Sequence, residues 1–118
     1  MEGGFSGQEI KDTPQAHPAG TETFIYIGTD PEHPGDLGGE VEFWLGKGKE
    51  AEKYVFTTPT TIVAPPGLFH TPIYFRKVWH PFLMIVIQDG GDWMDGIFSE
   101  EFPPDFEFPP GAIYSHRK

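Results

Sequence analysis

The 118-residue chain contains no cysteine. That excludes a disulfide framework, a thiolate zinc site, an iron–sulfur cluster and a cysteine nucleophile. Any metal must therefore be held by His, Asp, Glu or an amide oxygen. Basic residues are scarce: 8 Lys+Arg against 18 Asp+Glu give a formal net charge of −10, so nucleic acid and anionic membrane surfaces are repelled. Long apolar runs are missing as well. The longest, residues 82–87, is far short of the ~20 residues that span a bilayer. The opening MEGGFSGQEIKDTPQ lacks the basic start and apolar stretch of a secretion signal. These absences predict a cytoplasmic protein with no nucleic-acid and no membrane partner. Serine is sparse and never stands in Gly-x-Ser-x-Gly, and neither phosphate-loop pattern occurs, which argues against serine hydrolases and against nucleotide binding in those modes.

What the chain does have is aromatic bulk, 11 Phe, 4 Tyr and 3 Trp, punctuated by 15 Gly and 13 Pro. Large aromatic side chains bury much area each, while dispersed Gly and Pro break the chain into short segments joined by turns. Residues 24–27, 41–45, 53–57, 61–64, 73–78 and 82–87 are short, β-branched or aromatic, and bounded by turn residues, which predicts an all-β fold of six or more strands. In 40–45 the period of two places Val41, Phe43 and Leu45 on one face and Glu40, Glu42 and Trp44 on the other. Residues 82–87 have no polar face and predict a strand covered on both sides. Residues 47–53 lack the apolar stripe of a helix and read as a hairpin loop. The organisation is then a 1–14 extension, a 15–90 β-barrel, and a 91–118 arm, rich in proline and aromatics, that packs on the barrel or on a second subunit; disordered tails are typically aromatic-poor.

Two segments carry candidate chemistry. In Pro65-Pro66-Gly67-Leu68-Phe69-His70, Pro66 and Gly67 suit the central positions of a type II turn, where glycine supplies the positive φ, and His70 opens the next strand. In Gln15-Ala16-His17-Pro18-Ala19-Gly20-Thr21-Glu22, an extended Gln15–His17 puts both side chains on one face, and a bend at 18–20 can return Glu22 to the same point. Alone, each segment reads more readily as a surface turn and a loop histidine. Together they offer two imidazoles and a carboxylate, His17, Glu22 and His70, a set that suits non-haem iron, zinc, manganese or nickel.

The two segments together resemble the motifs of the cupin superfamily of small β-barrels. The first cupin motif is His-x-His, three or four residues, Glu, about six residues, Gly; here Gln15-Ala16-His17, four residues, Glu22, five residues and Gly28 resemble it, with Gln15 in place of the first His. The second runs Gly, five residues, Pro-x-Gly-x-x-His, three residues, Asn; here residues 65–70 match its centre, while Pro59 and Tyr74 replace its outer residues. The resemblance implies a double-stranded β-helix, or jelly-roll, barrel. It implies His17, Glu22 and His70 as metal ligands, with Gln15, a weaker amide ligand, at the fourth position. It also implies a divalent transition metal (Fe, Mn, Ni or Zn) and a small-molecule ligand. Tyr26, Trp44 and Tyr74 are the candidates for lining the pocket.

The function so implied is that of a metal-binding cupin, a small-molecule dioxygenase, isomerase or related enzyme. The alternative is a non-catalytic binding or sensor cupin whose metal site has degenerated. The aromatic arm makes a homodimer the expected assembly. Lesser candidates are His33, Asp36 and Glu40 as a second version of the first motif, calcium at Asp89, Asp92 and Asp95, which lacks the EF-hand pattern, and His80 and His116, which read as turn and terminal residues.

Overall fold

Turn residues cut this chain where its strands end. A computed structural model describes residues 14–91, 96–99 and 101–105. The strands are β1 (Gln15–Ala16), β2 (Thr21–Gly28), β3 (Gly39–Leu45), β4 (Glu52–Phe56), β5 (Thr60–Ala64), β6 (His70–Val78), β7 (Phe82–Asp89) and β8 (Ile97–Phe98). The 47–53 stretch is the connection of the β3–β4 hairpin, with a single 3₁₀ turn at Gly48–Glu50. All pairings are antiparallel, in a five-stranded sheet of order β4-β3-β6-β1-β8 and a three-stranded sheet of order β5-β2-β7. Among the described residues the protein is all-β, and the two sheets are not closed into one. No helix among them is long and apolar enough to cross a membrane. The 1–13 extension and the 106–118 part of the arm lie outside the described residues.

The core lies between the sheets and follows the period of two. On β2, Glu22, Phe24 and Tyr26 point inward and are buried. On β3, Val41 and Phe43 do the same, and with Leu37 and Ile73 they complete the apolar core. Phe24 meets Phe43 edge-on at 4.9 Å, and Tyr26 meets Phe56 at 5.1 Å, the tilted geometry that aromatic quadrupoles favour.

Along β6 the register against β3 shifts twice, between Glu40 and Val41 and again between Phe43 and Leu45, and the second shift reaches His70. Phe43 pairs with Ile73 but Leu45 pairs with His70, so two steps on β3 match three on β6. This second irregularity falls at Thr71-Pro72. Proline cannot donate to a ladder, and Thr71 takes a positive φ of 76°, an uncommon conformation for a β-branched residue. Bulges of this kind re-aim side chains. Here the bulge lets both His70 and Ile73 face the interior.

The strand expected to be covered on both sides is not. Among the described residues β7 pairs only with β2 and forms the sheet's edge, and Leu83, Met84, Ile85 and Ile87 are exposed. The absence of a polar face predicts cover on both sides. Pairing order, which composition does not encode, decides otherwise.

Candidate metal centre

The Pro-Gly turn does more than deliver His70. Leu68 N–H donates to Pro65 O at 3.1 Å around Gly67, whose φ is 83°, as the type II reading requires. The Gly67 N–H then donates to the carbonyl of His17 at 3.0 Å. One turn thus fixes the backbone of the first segment and launches the second. β1 is held further by pairing with β6 at Gln15↔His70 and with β8 at Gln15↔Phe98 and Ala16↔Ile97, and Ser99 N–H donates to Pro14 O at 2.8 Å. This part of the arm is therefore a strand laid along the segment that carries Gln15 and His17.

The three side chains converge. His17 Nε2 lies 3.1 Å from Glu22 Oε1, and His70 Nε2 lies 2.8 Å from the same oxygen. All three residues are buried, His70 to 1% exposure, and their ligand atoms lie within 4.8 Å of one another. Phe24 closes the apolar side, its ring 5.5 Å from that of His70. His70 Nδ1 lies 3.4 Å from Leu68 O, a backbone contact that orients the ring and turns Nε2 toward Glu22.

The decisive detail is that closeness here is not hydrogen bonding. Glu22 Oε1 and His70 Nε2 are shielded from solvent, yet neither has a hydrogen-bond partner among the described residues. Buried polar atoms without compensation are costly, and a nitrogen and an oxygen 2.8 Å apart attract only with a proton or a metal cation between them. Two ligand atoms each about 2.1 Å from one metal ion and at right angles lie about 3.0 Å apart. The observed separations fit that arrangement, and the donor set of two imidazoles and one carboxylate is one that iron, manganese, nickel and zinc accept.

Gln15 stands beside this group. A Cβ placed on Gly96 would meet Gln15 Oε1 at 3.3 Å and His17 Cε1 at 3.6 Å, so the amide oxygen and the His17 ring share one small space that glycine leaves open. The sequence reading missed Gln88. It sits on β7 directly opposite Glu22, its Nε2 donates to Gly90 O at 3.2 Å, and its Oε1 is buried without a partner. No motif contains it, and only the β2–β7 register reveals it.

The other named residues lie elsewhere. Tyr26 faces inward but packs against Phe43 and Phe56, with Phe24 between it and the histidines on the same strand face. Its hydroxyl is buried without a partner, and burial raises its pKa. Trp44 and Tyr74, expected to line the pocket, lie on the outer face of the five-stranded sheet. The Trp44 indole N–H donates to Glu42 Oε2 at 2.7 Å, Tyr74 pairs with Glu42 across the strands, and the Arg76 guanidinium covers the Tyr74 ring at 4.2 Å. The bulge at Thr71-Pro72 sets which face Tyr74 takes.

His33 is exposed in the β2–β3 loop and pairs with Asp30 at 3.0 Å. Asp36 accepts from Gly38 N–H and the Trp79 indole, so these residues do not assemble a second centre. Asp92, Asp95 and His116 lie outside the described residues. A cavity of about 730 Å³ is lined by Lys47, Lys49, Glu50, Glu101, Phe102 and Pro104. It lies between the β3–β4 turn and the arm, not at the histidines.

Comparison with known protein families, with curated proteins and with solved structures gives no match to this chain.

Proposed function

We propose that this protein is a metal-binding cupin in which His17, Glu22 and His70 hold one divalent transition metal, Fe, Mn, Ni or Zn, with Gln15 at its margin. The ion would leave coordination positions open to a small organic molecule. The observation that carries this reading is the buried convergence of three ligand atoms, two of which have no hydrogen-bond partner among the described residues. Support for the cupin assignment comes from the two motif-like segments, some fifty positions apart in the chain, meeting at one point within an all-antiparallel, two-sheet fold. When bound, such an ion supplies Lewis-acid polarisation or oxygen activation. The chain's own part is to orient His70 through Leu68 O, to fix His17 through Gly67, and to keep bulk water out with Phe24. A small-molecule dioxygenase or isomerase activity is the proposed use of the site.

A second reading, a non-catalytic binding or sensor cupin, draws on the amide at Gln15 and on the placing of the 730 Å³ cavity away from the histidines. Metal analysis of the full chain tests the common premise. The expected result is about one ion per chain after reconstitution, lost in Glu22→Gln and His70→Ala variants that keep the far-ultraviolet circular dichroism of the parent. Absence of binding to iron, manganese, nickel and zinc overturns the proposal. Binding without oxygen consumption or turnover across a small-molecule panel favours the sensor.

A further inference from the structure

The period of two that buries Glu22, Phe24 and Tyr26 sends Thr23, Ile25 and Ile27 to the outer face of the three-stranded sheet. The register places Ile87, Ile85 and Leu83 beside them on β7, and Val63 and Thr61 on β5. No ionisable side chain stands among these residues, in a chain of which 22% is charged; Asp89, opposite Thr21, marks the end of the face. Ile27 is 40% exposed, Val63 53%, Leu83 53%, Ile85 40% and Ile87 49%. An antiparallel sheet with one face in water normally alternates apolar inside and polar outside. The five-stranded sheet does so: its outer face carries Glu42, Lys53 and Arg76 around Trp44 and Tyr74. The three-stranded sheet carries its exposed aliphatic side chains on the outer face instead.

We propose that this outer face is covered by the same face of a second copy of the chain, related by a twofold axis, so that two three-stranded sheets pack face to face. Three features favour a second copy over another occupant. A flat aliphatic surface is complementary to itself and needs no matching group from elsewhere, which an isologous interface requires. The area is sufficient: with both copies counted, these side chains and their rims bury on the order of 1,000 Å², the lower bound for a specific interface. Charge selects the face, because each chain carries −10 and two copies repel least where charge is confined to the rim, here at Asp89. A lipid surface is disfavoured by the same net charge and by the lack of a basic rim.

The assembly brings together two acidic molecules, so added salt tightens it. It also accounts for the outward half of β7, since Leu83, Ile85 and Ile87 are covered in the dimer.

Sedimentation velocity on the full chain from about 1 to 100 µM, in low and high salt, tests the proposal. The expected result is a twofold mass that strengthens with salt, with a dissociation constant raised at least 100-fold by Ile85→Glu or Leu83→Lys. Val55→Glu, at an exposed apolar position of the other sheet, leaves it unchanged. Because the chain has no cysteine, Ile85→Cys provides a variant that keeps the face apolar: a short bis-maleimide links it into a covalent dimer, and a Val55→Cys control is not linked. A monomer at every concentration overturns the proposal. So does a dimer that survives both charged substitutions or links at Val55→Cys rather than Ile85→Cys, or a monomer that binds neutral phosphatidylcholine vesicles.

Discussion

Two glutamates on neighbouring sheets show what this fold does with buried acid. Glu42, on the outer face, is fully partnered: Oε1 accepts from Arg76 Nε at 2.9 Å and Oε2 from the Trp44 indole at 2.7 Å. Burial raises its pKa, but the hydrogen bonds from Arg76 and Trp44 and the positive charges of Arg76 and Lys53 outweigh that and hold it below the ordinary 4.5. Glu22, on the inner face, is more deeply buried and sits against two imidazoles that give its Oε1 no hydrogen bond. A satisfied cluster of this kind needs nothing further and holds strands together. An unsatisfied one marks a place where something else belongs.

That contrast can be broken at several points, and the largest effect comes from the layer both acids depend on. Phe43, with no exposed surface, packs between the sheets, and Phe43→Ala should cost about 3–5 kcal/mol through lost burial and the cavity left behind. Urea unfolding measures this, and a loss under 1 kcal/mol would show that the sheets are not joined there. Next comes the inner acid. Zinc or cobalt at a hundredfold excess over its dissociation constant should stabilise the parent by about 2.7 kcal/mol and Glu22→Gln by nothing measurable. Equal stabilisation of both proteins would remove Glu22 from the ligand set.

The outer acid should give a smaller change that does not depend on metal. Glu42→Gln is expected to cost about 1 kcal/mol at neutral pH, alike with and without metal. Because the folded pKa of Glu42 is lowered, its contribution is present above the ordinary value of 4.5 and is lost as pH falls through the folded one. The gap between parent and Glu42→Gln should therefore close in acid, and a gap that persisted there would mean that packing, not charge, is at stake.

The smallest effect is expected at Tyr26. Its hydroxyl is buried without a partner, so Tyr26→Phe should fall within about 0.5 kcal/mol of the parent or be slightly stabilising. Burial raises the folded pKa above the ordinary 10.0. The unfolded chain thus ionises first, and the parent loses stability as pH rises above 10 where the variant, at this position, does not. Identical alkaline profiles would show that Tyr26 reaches solvent.

Much of the fold was legible because it is local chemistry. Period two, turn residues and β-branched content located the strands, and Pro66-Gly67 specified its turn whatever surrounded it. His17, Glu22 and His70 were legible for a related reason: each lies in a short segment whose spacing limits where its side chain can point. Gln88 was not, since it belongs to no pattern and gains meaning only from standing opposite Glu22. Trp44 and Tyr74 were misplaced because alternation separates two faces without saying which is inside, and a bulge at Thr71-Pro72 resets the count.

By itself, then, the sequence determined an all-β, cysteine-free, strongly acidic protein with a turn-borne histidine and a second segment able to meet it, because propensity, turn geometry and charge act over a few residues. Only the tertiary structure decided which strand ends a sheet, which face of each sheet is interior, and that three ligand atoms share one dry point. Those outcomes depend on pairing order and register, set by contacts between distant parts of the chain that no short window of sequence contains.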